Sequence, residues 1–129
     1  MRPVGVSNIG VIAALSDNTL NNYNECFMNT ATAFKFSGVA ATVTQWDLIA
    51  SNAYTPASFA KAAWSYATNN ILSDFNGTAQ TADVSATVPT VTQLDVGNEG
   101  GSFQLNGAVR NVRIYARQLS QSALATLDR

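Results

Sequence analysis

Leu105-Asn106-Gly107-Ala108-Val109-Arg110-Asn111-Val112-Arg113-Ile114-Tyr115-Ala116-Arg117-Gln118-Leu119-Ser120 carries the clearest β pattern in the chain. Gly107 opens it, at a point where a side chain would obstruct a bend or a close backbone approach. Val112 and Ile114 are two apart and so share one face of a strand, while Arg113, Tyr115 and Arg117 share the other. Val109 is one residue out of phase with Val112. If all three apolar side chains face a core, a β-bulge near Arg110-Asn111 must absorb the extra residue. The run ends in Leu119-Ser120-Gln121-Ser122-Ala123-Leu124. There Ser120 can cap a short helix that Leu119, Leu124 and Leu127 dock.

Outward from this run, short β-prone segments repeat to the start of the chain. Val4 to Ala14 reads as a strand pair or one long irregular strand, and Ser16-Asp17-Asn18 as a turn. Asn21–Met28 and Ala33–Ser37 are the next strands, the second punctuated by Gly38. Ala41–Ile49 is rich in β-branched and aromatic residues. A loop with Pro56 follows. Phe59–Ala67 has good helix formers, yet Asn69-Asn70 after it suits a two-residue hairpin turn into Ile71–Gly77, so it is read as a strand. Ile71, Ser73 and Phe75 share one face of that return strand. Thr78–Val88 is a weak strand and Gln93–Gly97 a short one. About nine short strands at a spacing of about 8–12 residues predict an all-β fold: an antiparallel β-sandwich with a short C-terminal helix.

The chain has 129 residues, which suits one domain over 1–129. Seven basic and eight acidic residues give a net charge of −1, which disfavours nucleic acid and anionic membrane as partners. Charged residues are 12% of the chain, about half the usual share, and the small polar surface that remains favours self-association. Cys26 is alone, so no internal disulfide forms, and it reads as a small buried hydrophobe. Histidine is absent, which excludes Ser-His-Asp and Cys-His catalysis and His-based zinc sites within this chain. No apolar run reaches 18 residues, so no helix is expected to span a membrane. Met1-Arg2-Pro3-Val4 has no hydrophobic signal core. The expectation is a chain that stays inside its cell, leaves by another route or is cut from a longer precursor.

From Trp64 onward the order of features resembles the concanavalin A-like jelly roll, in its laminin-G-like branch. The resemblance rests on Ala62-Ala63-Trp64-Ser65-Tyr66, the return to Asn76-Gly77, Leu94-Asp95-Val96-Gly97, and the final run from Leu105 through Val112-Arg113-Ile114-Tyr115-Ala116-Arg117-Gln118-Leu119-Ser120. It covers Trp64 to Leu127, about half of the chain. It implies a jelly roll at an extracellular or virion surface that binds a glycan or a surface protein. Typical members are longer. The first strands, which normally sit beside the last, are missing or compressed here, so the sheet edges are either minimal or completed by another chain.

Candidate chemistry follows from these elements. Catalytic relatives of the fold use closely spaced carboxylates, and a glycosidase needs a pair about 5–10 Å apart. Glu25 and Glu99 are the only glutamates, and neither has an acid two residues away, so the chain reads as no enzyme and a degenerate glycosidase ranks last. Asp95, Asn98 and Glu99 lie on a Gly-rich loop and offer hard oxygens of the kind Ca²⁺ takes; Asp17 and Asn18 form a smaller cluster. Trp46, Tyr54, Trp64 and Tyr66 are the aromatic stock for a sugar platform. Trp64 reads as core, and Trp46, beside Gln45 and Asp47, as the better candidate for exposure. Arg113, Tyr115 and Arg117 would meet an anionic sugar or a protein partner. Asn76-Gly77-Thr78 is a glycosylation sequon whose Asn-Gly already has a turn role. Two functions stay open: a non-catalytic recognition module, or a structural subunit of a tail, virion or surface appendage. A homo-oligomer is expected from either.

Overall fold

A computed structural model describes residues 10–30, 32–55, 58–98, 103–105 and 107–127. Eight strands and one helix are formed among them: β1 Gly10–Ser16, β2 Tyr23–Met28, β3 Phe34–Ala40, β4 Val43–Ile49, β5 Ala62–Ala67, β6 Asn70–Phe75, β7 Thr78–Ala79, β8 Gln93–Val96 and α1 Gln121–Leu127. They build a five-stranded sheet in the order β4-β3-β2-β1-β8 and a three-stranded sheet in the order β5-β6-β7. All pairings are antiparallel. The all-β sandwich with a C-terminal helix read from the sequence is therefore the observed architecture.

Period-two alternation explains how the two sheets meet. Met28 pairs with Phe34 and Cys26 with Phe36 across β2 and β3, and these four buried side chains face Phe75 of the small sheet. Phe34 stacks on Phe75 at 4.3 Å between ring centroids, and Phe36 meets Trp64 at 6.2 Å. Cys26 is buried, as a small hydrophobe should be. Ile71, Ser73 and Phe75 alternate inward as expected, and all three are buried.

The turns carry small corrections. The β5–β6 loop is Thr68-Asn69, one residue earlier than read, because Ala67 pairs with Asn70. Only Asn69 there takes the left-handed conformation, at φ 57°. Gly38 does not end its strand. It lies inside β3, opposite Trp46, and a β-carbon placed on it would fall inside the Trp46 ring. Of the Thr78–Val88 run, only Thr78–Ala79 and an isolated bridge from Asp83 to Ile71 have strand character. The Val4–Ile9 part of the first strand lies outside the described residues.

Helix α1 covers the outer face of the small sheet. The Ser120 side chain accepts from the Ala123 N–H at 3.3 Å, and its carbonyl accepts from Leu124 at 3.0 Å, which is the cap the sequence promised. Leu124 is buried. Gln121 donates to the Ser73 carbonyl at 3.2 Å, and Leu119 N–H donates to the Ser65 hydroxyl at 2.8 Å. Leu127 is 40% exposed and does not dock as expected.

The largest correction falls on the stretch read first. Residues 107–120 form no strand. Val112 is 45% exposed and Ile114 59%, so neither faces a core. An irregularity does occur where a bulge was expected: Asn111 is left-handed, at φ 54°. Without a neighbouring strand to bulge against, the run stays unladdered. Its β propensity is real, but a strand exists only where a second backbone supplies the ladder.

Candidate functional site

The sugar-platform aromatics turn inward. Trp46 is 2% exposed, a correction with a simple cause. Gln45 and Asp47 are polar because they occupy the opposite phase of β4, and the same alternation drives Trp46 inward onto Gly38. There it packs with Ile71 and Ala86 and stacks on Tyr66 at 6.3 Å. Its indole N–H has no hydrogen-bond partner among the described residues. Tyr54 is also buried, with its hydroxyl donating to the Ser58 carbonyl at 3.0 Å. Trp64 is core, as read, but only half-buried on β5, and its indole donates to Asn24 Oδ1 at 3.0 Å. Tyr66 is half-buried against Trp46. The four rings thus form the seam between the sheets, and Trp46 and Tyr54 offer no face to a sugar.

The polar clusters are mostly self-satisfied. Asp17 Oδ1 accepts from Thr19 N–H at 2.9 Å and from its hydroxyl at 2.5 Å, and Oδ2 accepts from the Asn22 amide at 2.9 Å. These bonds, the Thr19 hydroxyl first, hold its carboxyl below the usual range. Asp95 Oδ2 accepts from Gln93 at 3.0 Å. Asn98 follows the left-handed Gly97, and Glu99 lies outside the described residues. Among the described residues no three His, Cys, Asp or Glu side chains converge. Glu25 is buried on β2, and the Glu99 that would pair with it as a catalytic acid is not described.

Arg113, Tyr115 and Arg117 lie on one exposed run of the chain. Every residue from Arg110 to Gln118 is exposed. Among the described residues, the run is tied down at its ends. At one end the Arg110 guanidinium lies 3.9 Å from the centre of the Phe59 ring, just ahead of β5. At the other, Gln118 donates to the Asn70 carbonyl at 2.7 Å, and Leu119 reaches Ser65. The run therefore travels beside β5 and in the same direction. β5 is itself an edge strand. The two arginines and the tyrosine are legible as a group in the sequence, whereas the Arg110–Phe59 contact and the β5 edge are not, because the contact spans about fifty residues and leaves no local pattern.

No family model matches the sequence, and no curated protein matches it. The fold is similar to a crystal structure of an S-layer domain-containing protein from Clostridium thermocellum ATCC 27405, with a TM-score of 0.50 and 15% identity over 100% of this chain and 67% of that one. At that identity the likeness is one of fold alone.

Proposed function

We propose that this chain is a non-catalytic β-sandwich module of a surface or assembly protein, and that it works by joining its sheet edges to other polypeptides. The observation that carries this reading is the distribution of apolar exposure. Val43 and Ile49 on edge strand β4, Leu94 and Val96 on edge strand β8, and Val112, Ile114 and Tyr115 on the unladdered run are all at least 40% exposed. Aromatic groups suited to a sugar are largely packed inward instead. Exposed edges with unspent backbone donors and acceptors are pairing sites. The laminin-G-like order of features from Trp64 to Leu127 and the S-layer domain-containing neighbour both agree with a place at a cell or particle surface. A second copy is one such polypeptide, so the module is a homo-oligomer in this reading.

Sedimentation velocity across the micromolar range tests it, run beside a glycan array with added Ca²⁺. Concentration-dependent association with a silent array is the expected result. A monomer at every concentration that binds a defined glycan overturns it in favour of a lectin-like module.

A further inference from the structure

We propose that the Arg110–Gln118 run and the free edge of β5 together receive one extended strand of another polypeptide, with carboxylates on alternate residues. This rests on the edge-joining reading above and names the partner's chemistry. The run has strong β propensity and no ladder, and all of it is exposed. From Arg110 to Leu119 it has nine residue steps, about 30 Å when extended. Phe59 to Ser65, the stretch it parallels, has six, about 20 Å. The run has more residues than the stretch it parallels, and with Asn111 left-handed it does not lie straight along β5. β5 shows the matching feature: its residues, Trp64 among them, are half-buried apart from Ser65. A strand laid between two segments that run the same way pairs antiparallel with both, the better-bonded geometry.

Charge selects the occupant. Arg110, Arg113 and Arg117 are three of the seven basic residues, and Lys61 sits at the start of β5. No acidic residue occurs from Gly100 to Leu127. A strand with carboxylates facing Arg113 and Arg117 gains charge-assisted hydrogen bonds. Its alternate residues fall on the side of Val112 and Ile114 and are apolar. The same run of a second copy is a poor occupant, because it would set three arginines against three.

The probe is the peptide Val-Glu-Val-Glu-Val-Glu-Val, blocked at both ends, whose outer glutamates are four apart like Arg113 and Arg117. Its controls carry Lys in place of every Glu, or Pro in place of the third residue. Binding is followed by tryptophan fluorescence and by amide hydrogen exchange. The expected result is binding of the acidic peptide with slowed exchange at Val112–Tyr115 and along β5. Affinity should fall at least about tenfold for the Lys peptide, and the Pro peptide should not bind. The Arg113→Glu, Arg117→Glu double variant, altered only at exposed positions, should prefer the Lys peptide. Equal binding of acidic and Lys peptides, or binding without protection of Val112–Tyr115, overturns the proposal. So does concentration-dependent protection of that run in the protein alone, which would make a second copy the occupant. If peptides fail while the chain still self-associates through another edge, this strand site is wrong and the edge-joining reading stands; a chain that neither binds nor associates sinks both.

Discussion

Gly38 and Trp46 show how one side chain fixes a neighbour across a sheet. The indole occupies the space that a β-carbon at position 38 would need, and it is buried between Ile71 and Ala86. Gly38→Ala should therefore cost about 1–3 kcal/mol through overpacking, read as a lowered urea midpoint. Trp46→Leu in the same chain should recover part of that loss, because the smaller side chain vacates the site. Asp17 gives a second residue-scale expectation. Its folded carboxyl lies below the unfolded value of about 4, because Thr19 and Asn22 hydrogen-bond the charged form. A depressed acid stabilises the fold fully above the unfolded value, and that contribution is lost as pH falls through the folded one. Asp17→Asn should therefore narrow its stability gap to the parent as pH drops from 5 toward 2. A constant gap across that range would show that the loop does not sense the charge.

At the scale of elements, the helix and the run before it make opposite predictions from similar side chains. Leu124 is buried under α1 and Ile114 is 59% exposed. Leu124→Ala should cost about 2–5 kcal/mol, and Ile114→Ala less than about 1 kcal/mol. Equal losses in chemical denaturation would mean that the 107–120 run packs against a core after all. The contrast also marks what the sequence can disclose. The Ser120 cap, the inward face of β6 and the β4 strand were legible, because each follows from the spacing of its own residues. The 107–120 run was legible as β-prone but not as unpaired. Pairing belongs to a second segment, and no pattern within Val109–Arg117 reports whether that segment is present. Trp46 failed for a related reason: its polar neighbours reveal the phase of β4, while its burial depends on Gly38 eight residues earlier and Ile71 far along the chain. Of the candidate site, the arginine cluster could be read, and the β5 edge beside it could not.

At the scale of the whole molecule, β4 is the edge best suited to a second copy. It closes one side of the five-stranded sheet and carries neither lysine nor proline, two of the usual protections of an edge. Antiparallel pairing about a two-fold axis at Trp46 sets Val43 opposite the partner's Ile49 and Gln45 opposite the partner's Asp47. Val43 and Ile49 are 59% and 57% exposed, so this register buries two apolar pairs and opposes no like charges. Gln45 already accepts from Thr87 and donates to the Val43 carbonyl, and Asp47 is held by Lys35 at 2.6 Å. The polar pairs are therefore neutral bystanders, and the apolar pairs with the new ladder supply the association. A closed two-fold dimer hides both copies of the edge and leaves none to propagate. Light scattering in the tens of micromolar should then report twice the 13.6 kDa chain mass, and Val43→Lys should return it to one. β5 lies in the other sheet, so the acidic peptide should bind without splitting the dimer. A parent chain that stays at 13.6 kDa, or a dimer that Val43→Lys leaves intact, would rule out β4 as the contact.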